Sequence, residues 1–376
     1  MTVYSPGPNW SRVFCWHKPV PILGSFDYIC SMAIISKKKK IYPIQAGLRK
    51  YLAQAGRQAD LPISYHDLQR YENSIPLIDK KNKDTLWETV IYSQDDMKSI
   101  HHQVKKIYAL LKAEGDLSFI EHLFIDRIDL CIYGNTQPFR VRIVNRINDN
   151  FDYFYIKQAD ASRVYGLELE HLLSPNRISY HIRDATLIEE HIIGIPGDQF
   201  IRDYLKDGHL NEIRLSKEFV KFNERCFIRL LGDMHSSNFV VDITPDFEEV
   251  EYRIRAIDFD QQSYEGRKAI YLPQYFKQNN PLIEVGLKCL TPETVKQYQK
   301  EERSLIAARL KAGRETITLL LKTMAQDTLA PKENVISLRK DLAVHYKQDS
   351  FLKCESMGDL VRESLLTVLE NKSSFI

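Results

Sequence analysis

Apolar residues alternate with polar ones in three short segments near the middle of the chain, 130–133, 139–144 and 153–157. That period of two predicts antiparallel strands, the first two joined by a turn at Gly134, Asn135 and Thr136. The spacing then changes to a helical one over 161–173. Two more strands follow at 178–182 and 186–192, the second running into Gly194-Ile195-Pro196-Gly197. Beyond this turn the pattern predicts a helix over 216–231 and a hairpin over 239–243 and 251–254, with an extended turn at Thr244-Pro245-Asp246. An irregular polar and aromatic segment occupies 261–280. The remainder reads as amphipathic helix, 292–325 with a break at Gly313 and then 335–369. Upstream, 46–55 and 65–73 look helical and 85–92 is apolar. Residues 95–113 set Ile100, Val104, Ile107, Tyr108 and Leu111 on one helical face. The pattern divides the chain into an α-rich extension (1–120), a small β-rich segment (121–208) and a mainly helical one (209–376), an α+β chain.

The 376 residues suffice for two or three domains with proper cores. At 44% hydrophobic and 27% charged the composition is that of a globular protein. No apolar run approaches the roughly 20 residues of a membrane helix, and the N-terminus has neither the basic start nor the apolar core of a signal peptide, so no membrane partner is expected and a cytoplasmic location is. Six scattered cysteines, without a Cys-x-x-Cys pair, predict reduced core residues rather than a zinc site or disulfides. A formal charge of +2 offers no general attraction to nucleic acid. The dense run Lys37 to Lys40 reads as a solvated loop, and a helix-turn-helix near Leu61 to Asn73 lacks a basic recognition face.

The chemistry concentrates in Gly232-Asp233-Met234-His235-Ser236-Ser237-Asn238, followed at the end of the hairpin by Asp258-Phe259-Asp260. Moving a γ-phosphoryl group to a hydroxyl needs little covalent help; positioning and charge neutralisation by Mg²⁺ do most of the work. Asp233 can orient an acceptor hydroxyl and take its proton. Asn238 offers a neutral amide oxygen to a hard cation, and Asp258 a carboxylate at a strand end. Each piece alone also suits an ordinary turn or cap.

Together, in this order, the pieces resemble the catalytic and metal-binding loops of the protein-kinase-like superfamily. The Gly-Asp-x-His-x-x-Asn form is most similar to aminoglycoside and choline phosphotransferase loops, or to lipid-kinase and HipA-type ones. The resemblance implies a two-lobed fold, with Asp233 as catalytic base, Asn238 and Asp258 as magnesium ligands, and ATP as co-substrate. It also implies that Lys157, ending the third strand, pairs with phosphates and with a glutamate of the following helix. Glu168 and Glu170 both qualify, and Glu168 is favoured. Backbone groups from Glu189 through Glu190 to His191 would meet the adenine edge as a hinge. The glycine-rich lid is reduced to Gly134, with Asn135 and Thr136 as candidate replacements, and nothing after Asp258 matches an Ala-Pro-Glu motif. Tyr264, Arg267, Lys268, Tyr271 and Gln274 are candidates to recognise the acceptor, which is expected to be a small molecule. The alternatives are a HipA-like Ser/Thr protein kinase and a pseudokinase scaffold. Oligomeric state and the identity of the acceptor stay open.

Overall fold

The computed structural model describes residues 39–79, 82–118, 120–206, 210–245 and 250–369. In chain order the elements are helices α1 (Ala46–Gln54) and α2 (Tyr65–Leu68), strands β1 (Asn73–Ile78) and β2 (Asp84–Ile91), α3 (Gln94–Ala113), β3 (Leu123–Leu130), β4 (Phe139–Asn145) and β5 (Phe151–Gln158). Then come α4 (Ala161–Leu173), β6 (Tyr180–Arg183), β7 (Thr186–Glu190), β8 (Ile195–Pro196), the single turn α5 (Gly197–Gln199) and α6 (Glu212–Arg229). The hairpin β9 (Phe239–Pro245) and β10 (Val250–Ala256) precedes α7 (Asn280–Cys289), α8 (Pro292–Ala312), α9 (Arg314–Gln326), α10 (Lys332–Tyr346) and α11 (Met357–Leu366).

The first lobe is one antiparallel sheet in the order β1-β2-β3-β4-β5-β7-β6, with α4 inserted between β5 and β6. The second lobe is mainly helical and carries the small sheet β10-β9-β8 at its edge. This is an α+β arrangement of a β-rich unit followed by a mainly helical one, as expected. Its details differ from the sequence reading in two places. The strand expected over 130–133 is β3, which ends at Leu130; a bulge between Ile125 and Arg127 interrupts the alternation that would have marked it. The helix expected over 65–73 stops at Leu68 after one turn, started by a Ser64/Asp67 capping box, and the chain then pairs as β1.

The extension is α-rich as expected, and it also widens the sheet. Its β1 and β2 continue the sheet beyond β3, while Ile182 of β6 bonds Arg57 and Ala59 at the other edge. β1 becomes the edge strand on one side, and the segment 57–59 lines the β6 edge on the other. One core joins α2, α3 and the sheet, from Leu61 to Ile188, and runs across residue 120 without a break. The other joins α1, α4 and the helical lobe, from Leu48 to Leu369. Helix α4 is buried on every side between them, as its all-round apolar content requires.

Cys226 and Cys354 are buried free thiols, Cys131 and Cys289 half-buried ones, and Cys15 and Cys30 lie outside the described residues. Among the described residues, no helix is long and apolar enough to cross a membrane.

Candidate active site

Helix α6 ends because Leu230 turns into the left-handed region (φ 54°), and Asp233 does so again three residues later (φ 62°). An aspartate tolerates that conformation better than most residues, and such local strain is held only where the surroundings fix it. Here Asp233 N–H donates to the Ile270 carbonyl at 3.0 Å, and Gly232 N–H to that of Gln261 at 3.3 Å. A Cβ at Gly232 would stand 3.1 Å from the Gln261 oxygen, so any other residue there would crowd the loop by a few tenths of an ångström. A short turn, Ser236–Asn238, then brings Asn238 back: its Nδ2 donates to the Asp233 carbonyl at 2.8 Å. That contact uses the amide nitrogen rather than the oxygen. The Asn238 carbonyl accepts from Ile257 N–H at 3.0 Å, which places Asp258 beside both residues. The three motif residues therefore share one corner of the molecule.

The electrostatics of this corner are unusual. Burial, and then the charges of Asp258 and Glu265, push the Asp233 carboxyl up to about 7. A base poised near neutrality is what proton transfer at physiological pH requires. His235 Nδ1 accepts from Ser237 N–H, and burial lowers the pKa of its ring against the pull of Asp258 and Asp198.

Lys157 is buried on the same sheet face as Tyr155, and its pairing differs from the expected one. Its Nζ donates to Glu189 Oε2 at 2.7 Å, not to Glu168. Glu168 is instead held by Tyr51, Arg57 and Tyr180, which tie α4 to the extension and to β6; Glu170 pairs with Arg229. Both carboxylates are thus committed to other partners. The cation on α4 that faces the sheet is Arg163. Its Nε and Nη2 fork onto Glu189 at 2.5 and 2.8 Å, and its Nη1 donates to Asp258 Oδ1 at 2.9 Å and Asp260 Oδ1 at 2.8 Å. Burial alone would raise the Glu189 carboxyl, but Arg163 and then Lys157 hold it down at about 2. The expected pair between Lys157 and a glutamate of α4 is therefore not formed, and α4 is tied instead to β7 through Arg163 and Glu189.

Glu190 also departs from its expected role. Its N–H donates to the Ser179 carbonyl at 3.0 Å and its carboxylate accepts from Ser179 N–H at 2.7 Å, so the residue before β6 takes up the backbone N–H a hinge would offer. His191 lies just past β7, its ring packed on Tyr153 and Tyr155 with Nδ1 3.2 Å from the Tyr155 hydroxyl. In the β3–β4 turn Thr136 is buried and Tyr65 of the extension donates to the Gln137 carbonyl at 3.0 Å, while both amide atoms of Asn135 are buried with no partner among the described residues. The lid is a pinned turn rather than a glycine loop.

Lys39 is a further correction. It is buried rather than solvated, bonding Asp160 and the Asp260 carbonyl, both at 2.5 Å. Lys37 and Lys38 lie outside the described residues. Segment 261–280 is irregular as expected and firmly anchored: Ser263 N–H bonds Leu230, Asn334 bonds the Tyr264 carbonyl, Lys268 N–H bonds Asp341 and Gln274 N–H bonds Asn223. Helix α4 meets Asp258-Phe259-Asp260 at Gly166, where a Cβ would lie 3.0 Å from that of Phe259.

For a divalent cation, Asp258 keeps Oδ2 after Oδ1 is taken by Arg163 and by Asp260 N–H, and Asn238 contributes its amide oxygen. Among the described residues no group of three or more His, Cys, Asp or Glu side chains could hold a metal. The donor set fits an ion that brings other oxygens with it, such as one bound to polyphosphate.

Neither a family model nor a curated protein matches this sequence. Among solved structures, the autoinhibited serine kinase domain of the giant muscle protein titin aligns at 13% identity and a TM-score of 0.27, covering 65% of this chain and 92% of that one. Titin kinase with its flanking domains aligns at 13% identity and 0.28, covering 73% and 61%. Likenesses this slight decide nothing about chemistry, which rests on the residues themselves.

Proposed function

We propose that the chain is a Mg²⁺-dependent phosphotransferase that moves the γ-phosphoryl group of ATP to a hydroxyl on a small molecule. The observation that carries this reading is the Asp233 carboxyl, raised to about 7 and locked beside Asn238 and Asp258. Asp233 orients the acceptor hydroxyl and receives its proton as the oxygen attacks. Asn238 and Asp258 present one neutral and one anionic oxygen toward the metal position. Magnesium, when bound with ATP, supplies charge neutralisation at the transferring group. Lys157 adds a fixed positive charge on the sheet face above. The anchoring of 261–280 supports a small acceptor beside Asp233 rather than a polypeptide laid along a free segment.

A second reading, a pseudokinase scaffold, is favoured by one contact: the Arg163 guanidinium on Asp258 Oδ1. Turnover separates the two. Asp233→Ala is expected to lower Mg·ATP turnover by at least about 10²-fold, the range positioned proton-transfer groups contribute, with nucleotide still bound. Nucleotide-dependent thermal stabilisation of the wild type with no phosphate transfer to any hydroxyl metabolite would support the scaffold instead.

A further inference from the structure

We propose that Arg163 acts as a built-in cation at the metal loop, keeping Asp258 and Asp260 from collecting a divalent ion until polyphosphate brings one. The inference rests on the phosphotransfer reading for its purpose, though the contacts stand without it. Arg163 is anchored at its back by the fork onto Glu189, and Glu189 is itself gripped by Lys157. With a side chain 2% exposed, the guanidinium has nowhere else to go. At its front, Nη1 takes Oδ1 of both Asp258 and Asp260.

Charge balance sets the consequence. Within the contacts of Arg163 and Lys157, three carboxylates, Glu189, Asp258 and Asp260, face two cations, while Lys39 and Asp160 pair with each other and Asp233 adds negative charge beside Asp258 only as it ionises. One net negative charge is a poor match for a free dication. Removing Arg163 leaves two, on neighbouring carboxylates, and takes away a repulsive charge a few ångströms from any ion on Asp258 Oδ2. Even at the high effective dielectric of a protein, that change is worth at least about tenfold in affinity. No cluster of three acidic, His or Cys ligands offsets the repulsion among the described residues. In this role Arg163 positions and tunes the loop without touching the reacting atoms.

The test is a titration of the nucleotide-free full chain with Mn²⁺, followed by the resonance signal of the free ion. Arg163→Met, and Arg163→Gln as a second variant that keeps a hydrogen-bonding head, should each bind Mn²⁺ at least about tenfold more tightly than wild type. Adding Asp258→Asn should abolish the gain. Arg163→Lys keeps the charge and should stay as weak as wild type. If Arg163 only braced α4, the Met and Gln variants would bind no more tightly than wild type, and that result overturns the proposal. So does a tenfold gain in the Lys variant, or a gain that survives Asp258→Asn. The wild type needs no variant to be informative: saturation by Mn²⁺ alone as tight as that reached with a non-hydrolysable ATP analogue would also overturn it. Absence of ATP turnover, measured separately, would instead remove the phosphotransfer reading and leave the Mn²⁺ comparison intact.

Discussion

A carboxyl raised by its surroundings must weaken the fold wherever it ionises, and Asp233→Asn isolates that cost. The unfolded chain ionises this residue near 3.8, the folded chain at about 7. Between those values the folded state holds the extra proton, so the stability Asp233 contributes is complete below 3.8, falls as pH rises, and is gone above about 7. At about 1.4 kcal/mol per pH unit the span corresponds to roughly 4 kcal/mol, an upper figure because the side chain is only partly enclosed. Asparagine mimics the protonated carboxyl in shape and cannot ionise. Urea unfolding of the wild type and of Asp233→Asn at pH 4, 5.5 and 8 should therefore show two curves that lie close at pH 4 and separate with pH, the variant being the more stable by a few kcal/mol at pH 8. Parallel curves across this range would mean that Asp233 ionises normally. The pairing of a more stable variant with lost turnover is the signature of a residue kept for chemistry rather than for folding.

Other perturbations probe neighbouring parts of the site. The acid limb of the kcat/KM profile should lie near pH 7 and move to lower pH in Glu265→Gln, because Glu265 is one of the charges holding Asp233 up; a limb that stays put would assign it to another group. Glu168→Ala should cost about 2–4 kcal/mol in unfolding free energy by stranding Arg57 and two tyrosine hydroxyls, with little effect on the KM for ATP. A selective rise in that KM at unchanged stability would return Glu168 to the nucleotide site. Gly166→Ala places a Cβ 3.0 Å from that of Phe259 and 3.2 Å from that of Gln262, which should shift the metal loop against α4 and lower kcat by about tenfold or more. Wild-type kcat in this variant would show that the contact does not transmit to the loop.

The elements with clean periodicity were legible from sequence. Helix α4 runs Ala161–Leu173 as its spacing predicts, and the long C-terminal helix breaks at Gly313 between α8 and α9. The hairpin β9–β10 keeps an unbroken register from Phe239 with Ala256 to Pro245 with Val250, so the extra residues at its tip leave Asp258 where a shorter turn would. Helix α2 was over-extended because Tyr65 and Leu68 fit one turn of a helix, and only the distant pairing of Asn73 with Ile91 turns the chain beyond it into a strand. Asp233 and Asn238 were readable as a pair because they are five residues apart, and Asp258 because the hairpin β9–β10 between them returns the chain to its start. Arg163 and Glu189 were not, being 26 residues apart and joined only by folding. A signal did exist: a glutamate in a strand as apolar as β7, and an arginine in a helix buried on all sides, both demand a charged partner. Sequence shows the demand without saying which residue meets it.

The central claim is that Asp258 and Asn238 hold a metal–polyphosphate unit beside Asp233, and calorimetric titration of ATP with and without Mg²⁺ tests it most directly. Wild type should bind ATP far more tightly with Mg²⁺ than with a chelator present, and Asp258→Ala should bind it weakly and equally in both. ATP binding that ignores Mg²⁺ in the wild type, or Mg²⁺ dependence retained in Asp258→Ala, would contradict the assignment.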